Sequence, residues 1–313
     1  MHNYSDYGWL RGFSIVPSWG ARIEDAWWNY DPHRFRDEIA PAVQFHANTL
    51  RVWIEFTAWM ADPDGVTAAF QDAVAAIDEA GMKTMPCLFN RWHDSRYDYG
   101  GTYMETLHRD LTPHFDYVEA LVAPLADDDR ILIWDLCNEP GASSPTDSAA
   151  AAEIWWMAAI RDIVLRSGAK QPITIGTMSG RNIEAFAPMS DVLCCHPYLG
   201  DPADLDKAIA HAHRLRTIWR KPMLCNETGM GAADDLERAE YLKWTLPMLA
   251  DAGIGWMGWA LRPGKAISTR RDRVDGNGLH GFGYHPWVDE GGAPRKGLEW
   301  LCEKPERLAP WLE

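Results

Sequence analysis

The stretch Ile131 to Pro140, ILIWDLCNEP, decides how this chain is read. Ile131, Leu132, Ile133, Trp134 and Leu136 form a short β-branched and aromatic run with little alternation, the pattern of a strand covered on both faces in a parallel sheet. Pro140 and Gly141 end the run. Glu139 therefore stands at the C-terminal end of a buried strand, which is where α/β barrels carry their chemistry. The stretch Pro222 to Gly229, PMLCNETG, repeats the pattern, its apolar residues running into Asn226 and Glu227.

Outward from that strand, strands and helices alternate toward both ends. Leu10 to Val16 reads as a first strand, left through a loop that carries Trp19. Pro32 to Phe45 has Phe35, Ile39, Ala42 and Val43 at helical spacing, with Asp31 as N-cap and Pro32 at the first helical position. A strand at Thr49 to Ile54 holds Arg51, a charge in an apolar run that costs free energy unless a carboxylate pairs with it. Asp62 to Gly65 reads as a turn and Val66 to Ala80 as a helix capped by Gly81. Lys83 to Phe89 is the third strand, with a bulge at Pro86. From Asn90, Trp92 and His93 a polar, aromatic loop runs to about Leu111, a length that is usually functional. Phe115 to Leu125 forms a helical stripe leading into the strand at Ile131.

Beyond Glu139 come a helix over Ala149 to Leu165 and strands at Pro172 to Gly176 and Asp191 to Cys195. A helix through Leu205 and Trp219 precedes the Glu227 strand. A helix from about Asp235 to Ala250, kinked by Pro247, leads to a strand at Ile254 to Trp259, and a short last helix lies near Leu298 to Leu301. Eight strands alternating with helices imply an α/β fold closed as a (β/α)8 TIM barrel. The 313 residues suit one barrel of about 250 residues with enlarged loops. No shift in composition marks an internal boundary, so residues 1–313 read as a single domain.

A hydrophobic content of 47% supplies a sizeable core, while a net charge of −15 and a pI near 5.1 argue against nucleic acid or an anionic membrane as partner. A neutral or small partner is expected. No apolar run of about 20 residues spans a membrane, and Met1 to Asp6 lacks the basic and apolar parts of a signal peptide. The expected setting is cytoplasmic. Cys87, Cys137, Cys194, Cys195 and Cys225 fall in strands and read as small core residues, with Cys302 in the last helix. Cys194 and Cys195 are adjacent and cannot both aim at one ion from a regular strand. Neither a metal nor a cofactor is expected, and the sequence carries no signal for oligomeric state.

Two carboxylates at the ends of the fourth and seventh strands face each other across a barrel mouth, as glycoside hydrolysis requires of a pair flanking the scissile bond. Here the sequence resembles the clan of (β/α)8 retaining glycosidases, and most nearly family 5, with its cellulase- and β-mannanase-like enzymes. The resemblance covers about Leu10 to Leu261. It rests on Asn48-Thr49-Leu50-Arg51-Val52, Trp134 to Pro140, His196-Pro197-Tyr198, Asn226-Glu227 and Trp259. It implies that Glu139 is the general acid/base and Glu227 the nucleophile. Arg51 would lie beside Glu227 and lower its pKa, and Tyr198 would donate to the same carboxylate. His196 and Asn138 would contact the sugar and Glu139, and Trp259 would be the flat floor beneath the ring being cleaved. One departure is Asn90, which stands where related enzymes often have a His, with His93 three residues on.

The chain has 17 Trp, more than a core needs. Trp19, Trp53, Trp59, Trp92 and Trp259 fall in loops or at strand ends, where sugar faces stack on such rings. A basic loop with Arg262, Lys265, Arg270, Arg271 and Arg273 reads as a solvated charge run or a clamp for an acidic or extended aglycone. A metal-dependent hydrolase on the same barrel would need His-x-His on the first strand, and Gly12-Phe13-Ser14 offers none. A carbohydrate-binding pseudoenzyme would have lost one carboxylate, and both are present. Long loops, Trp92 to His108 and Arg262 to Asp289, would close one end of a cleft into a pocket. With no export signal, the expected substrate is small: exo-action on short β-linked oligosaccharides or glycosides, an open-cleft endo-β-glycanase being the alternative. The sequence leaves glucosides, mannosides and xylosides open.

Overall fold

The computed structural model describes residues 4–91, 110–141, 148–178, 180–270 and 283–312. Trp92 and His93, and the part of the basic loop that holds Arg271 and Arg273, lie outside the described residues.

Eight parallel strands form the barrel wall: β1 Arg11–Ile15, β2 Thr49–Trp53, β3 Lys83–Cys87, β4 Trp134–Asn138, β5 Ile173–Gly176, β6 Leu193–Cys194, β7 Met223–Leu224 and β8 Trp256–Gly258. Six run in the order β5-β4-β3-β2-β1-β8, and β6 pairs with β7. Hydrogen bonds join the two sheets at both ends. Asp191 N and Val192 N donate to Ile173 O beside β5, and Thr228 N donates to Met257 O beside β8. The wall is thus continuous and leaves no open edge.

Helices α1 Ile23–Trp28, α2 Pro32–Ile39, α3 Pro41–Gln44, α4 Phe56–Ala61, α5 Pro63–Glu79, α6 Thr112–Val122, α7 Ser148–Arg166, α8 Gly180–Phe186, α9 Pro202–Trp219 and α10 Asp235–Asp251 lie outside it. The main core is the layer between wall and helices, where Leu50 and Val52 pack with Phe70, Val74 and Ile77. A smaller cluster of Leu10, Met85, Leu132, Leu224 and Met257 fills the bottom of the barrel under Tyr7 and Trp9.

Local chemistry accounts for the departures from the sequence reading. Pro41 removes a donor, so the segment from Pro32 becomes two helices, α2 and α3. Asp62 to Gly65 is the first turn of α5 rather than a separate turn, because Asp62 Oδ1 accepts from Gly65 N at 3.0 Å and Pro63 occupies the first helical position. Gly81, at φ 80°, then ends α5 as expected. Pro247 is accommodated within α10, and the last short helix is a 3₁₀ turn, Glu299–Cys302.

The bulge expected at Pro86 lies opposite it. Val52 pairs with Pro86 in unbroken register on the β2 side. Toward β4, Thr84 N donates to Arg130 O and Leu88 N to Asp135 O, so four residues of one strand span five of the other. The missing N–H of Pro86 falls between those two bonds, where the facing strand carries its extra residue.

Candidate active site

Arg51 stands at the centre of the barrel mouth, fully buried. Strand alternation sends Leu50 and Val52 outward and Arg51 inward. Its Nε donates to Asp135 Oδ2 at 2.9 Å, with Nη2 at 2.7 Å from the same oxygen. Nη1 reaches Glu227 Oε2 and Nη2 reaches Asn138 Oδ1, both at 2.8 Å. Gly176 leaves room for this guanidinium, since a Cβ there would stand 2.9 Å from Arg51 Nη2.

Asp135 and Asn138 both face Arg51 although an odd number of positions separates them. Regular pleating would put them on opposite faces. The β4–β5 register shifts between these two residues, which turns Asn138 and the chain after it back toward the mouth. Glu139 follows at φ 48°, in the left-handed region, at a cost of about 1–3 kcal/mol. Its N–H donates to Gly176 O at 2.7 Å. The turn is buttressed by Asn182 Nδ2, which donates to Pro140 O at 2.7 Å, and by Glu153 Oε1, which accepts from Gly141 N at 2.9 Å.

The seventh strand brings Glu227 to the other side. Tyr198 Oη donates to Glu227 Oε1 at 2.9 Å, so each Glu227 oxygen has a fixed donor, one from Tyr198 and one from Arg51. His196 Nδ1 lies 2.8 Å from Glu139 Oε1, and its Nε2 lies 2.7 Å from Asn226 Oδ1. Glu139 and Glu227 are both buried, and a carboxylate oxygen of each lies within 4.8 Å of the other. Asn138 Nδ2 donates to Asn90 Oδ1 at 3.0 Å, so Asn90 props the residue before Glu139.

Burial pushes the Glu227 carboxyl above the usual range, and the charge of Glu139 adds to this, while His196, Arg51 and Tyr198 pull it down. Arg51 therefore acts in the expected sense, but desolvation outweighs it. Burial opposes charge on His196, yet its bonds to Cys194 and Glu139 and the field of Glu227 prevail and raise it well above an ordinary imidazole. Burial and the two glutamates push the Tyr198 phenol up, so it stays a donor.

The aromatic candidates divide. Trp259 and Trp53 stack on each other, centroids 4.7 Å apart, and Trp259 Nε1 donates to Ser268 Oγ at 2.8 Å. Trp53 also packs under the Arg51 guanidinium, 5.2 Å from its ring. Trp19 is occupied elsewhere: Arg34 covers its ring at 4.6 Å and its Nε1 donates to Ala26 O at 3.3 Å. Trp59 is buried against Tyr117, its Nε1 donating to Thr67 Oγ1 at 3.2 Å. Cys87, Cys137, Cys194, Cys195 and Cys225 are free thiols in the core.

Glu139, His196 and Glu227 have ligand-type atoms close enough to suggest a cation. The donor set does not fit one. His196 Nδ1 and Glu139 Oε1 stand 2.8 Å apart, a hydrogen-bond distance, whereas two ligands each about 2 Å from one tetrahedral zinc would lie about 3.3 Å apart. Arg51 also places a fixed positive charge 2.8 Å from Glu227.

Three residues missing from the sequence-derived site belong to it. Asp135 pairs with Arg51, Asn226 joins Asp135 to His196, and Ser268 anchors Trp259. Asp135 carried the same signal as Arg51, a charge inside an apolar run, and Asn226 precedes Glu227 as Asn138 precedes Glu139. Ser268 carried none.

The family model described as Cellulase (glycosyl hydrolase family 5) matches residues 11–265. Comparison with curated proteins finds no match. Among solved structures, an exo-β-1,4-mannosidase from an Opitutaceae bacterium superposes with a TM-score of 0.74 at 17% identity, over 96% of this chain and 61% of that one. This chain thus spans less than two thirds of that protein. A GH5_18 enzyme from Streptomyces cattleya gives 0.69 at 16% identity, covering 98% and 83%. A hyperthermostable endo-1,4-β-D-mannanase from Thermotoga petrophila gives 0.67 at 15%, covering 94% and 98%.

Proposed function

Because the chain belongs to the cellulase family, glycosyl hydrolase family 5, and is a glycoside hydrolase, we propose that it cleaves β-glycosides with retention, Glu227 attacking the anomeric carbon and Glu139 serving as general acid and then base. The observation that carries this is the buried glutamate pair with oxygens within 4.8 Å. That approach of the nearest oxygens supports the retaining arrangement, with carboxyl groups about 5–5.5 Å apart, over the inverting one at about 6.5–9.5 Å.

Each neighbour has a task in that reaction. Arg51 and Tyr198 hold Glu227 in one orientation and stabilise its charge between turnovers. Arg51, Tyr198 and His196 oppose the burial that raises the Glu227 carboxyl and so favour its charged form. Asn138, propped by Asn90 and Arg51, keeps its amide beside the sugar 2-hydroxyl position. Trp259, which leans on Trp53, would lie beneath the ring being cleaved.

Exo-action on short β-linked oligosaccharides is supported by the segment after β8. Ser268 binds Trp259, and His285 stands edge-on to Tyr198 with ring centroids 6.3 Å apart, so these two residues flank one side of the mouth. Two of the three neighbours above are named for mannosides, so β-mannosides head the substrate panel, with glucosides and xylosides beside them.

The roles are tested by variants. Glu227→Gln abolishes glycosyl-enzyme formation on every substrate, while Glu139→Ala keeps glycosylation by activated aryl glycosides and loses about 100-fold or more on poor leaving groups. Equal losses on both substrate types in both variants would contradict the assignment.

A further inference from the structure

A chain of hydrogen bonds runs beneath the two glutamates, from Glu227 through Arg51, Asp135, Asn226 and His196 to Glu139. Asp135 is fully buried. Its Oδ1 accepts from Gly176 N at 2.9 Å, and its Oδ2, held by Arg51, accepts from Asn226 Nδ2 at 3.0 Å. A carboxylate paired with a guanidinium only accepts hydrogen bonds, so the atom Asn226 turns toward it is the amide nitrogen. The amide oxygen of Asn226 then faces the opposite way. There it accepts from Cys194 Sγ at 2.9 Å and lies 2.7 Å from His196 Nε2.

A carbonyl oxygen cannot donate, so Nε2 carries a hydrogen. Nδ1 is left for Glu139 Oε1, 2.8 Å away, and that contact holds one proton, on the carboxyl or on the ring. Both placements leave the pair with zero net charge, so the proton crosses the contact without altering the charge of the buried site. Had Asn226 been turned over, its N–H would meet Nε2, the ring proton would sit on Nδ1, and an ionised Glu139 beside it would lack the proton that a general acid needs. The groups facing His196 are Glu139 after β4, Cys194 on β6, and Asn226 and Glu227 after β7.

We propose that Asp135 and Asn226 are positioning residues that fix His196 as its Nε2–H form and so keep the acid/base proton on the Glu139–His196 pair. This rests on the role given to Glu139. It is tested first without a variant, by ¹⁵N NMR of the histidine-labelled protein, with His196→Gln identifying the resonance. A protonated Nε2 at neutral pH is expected, and a bare Nε2 with a protonated Nδ1 would overturn the proposal, whatever the leaving-group test on Glu139 gives. Asn226→Ala provides the kinetic arm. It should lower kcat/KM about 100-fold on substrates whose leaving group needs a proton, and only a fewfold on activated aryl glycosides. Equal loss on both would reduce Asn226 to a structural role and overturn the proposal. Failure of the Glu139 role itself reads out separately, as a Glu139→Ala variant with no leaving-group dependence.

Discussion

Arg51 and Asp135 are opposite charges with no exposure, and each makes the other tolerable. Arg51→Met would leave Asp135 buried with neutral partners in place of the guanidinium, Asn226, Gly176 and Cys87 among them, an imbalance that costs about 3–5 kcal/mol. The expected result is a large drop in denaturant midpoint along with loss of activity; an unchanged midpoint would show that the pair is not what holds the mouth together. Arg51→Lys keeps the charge but loses the planar fork that serves Asp135, Asn138 and Glu227 at once, so it should recover only part of the stability. At this scale the sequence was informative wherever a residue broke its own local pattern. Arg51 in an apolar strand demanded a carboxylate, and the two Asn-Glu pairs ended apolar runs. Trp19 broke no such pattern and was singled out by residue type and loop position alone, which says nothing of what covers the ring; in the structure that is Arg34. Ser268 lies in a segment without periodicity, and its bond to Trp259 depends on how the chain returns over the mouth.

Elements were legible where hydrophobic period and punctuation agreed. α5, between Asp62 and Gly81, has a cap at each end and one apolar stripe, and only its first turn was misread, because Asp-Pro-Asp-Gly suits a turn and a helix start equally. The extra residue of β4 was harder to place: Pro86 marked the irregularity, but the strand that absorbs it is the partner. α6 and α7 meet around His114, which is buried against the rings of Phe56 and Phe89 and accepts from Trp156 Nε1 at 2.9 Å through Nδ1. Burial lowers its pKa from 6.5 to about 4. Between those values the unfolded chain takes up a proton that the folded protein refuses. Stability present above pH 6.5 is therefore lost as pH falls toward 4, by on the order of 2 kcal/mol. Thermal melts across that range should fall less steeply for His114→Gln than for the parent. Parallel curves would exclude His114 as a source of acid sensitivity.

At the scale of the molecule, eight strands in parallel order fix where chemistry can occur, since the loops leaving their C-terminal ends share one face. That face was predictable from alternation alone, whereas the height of its walls depends on loops that obey no period. On the proposed exo-action, single sugars should be released from manno-, cello- or xylo-oligosaccharides throughout the reaction; rapid viscosity loss with mixed oligomers appearing early would show an open cleft. Among the described residues no helix is long and apolar enough to cross a membrane. The two glutamates tie all of this to one reaction, and their spacing makes a claim about stereochemistry that a single experiment reads. Proton NMR of a β-glycoside during the first minutes of hydrolysis, before the free sugar mutarotates, should show the β-anomer of the product appearing first. The α-anomer appearing first would mean that water attacks directly, and would contradict Glu227 as the nucleophile.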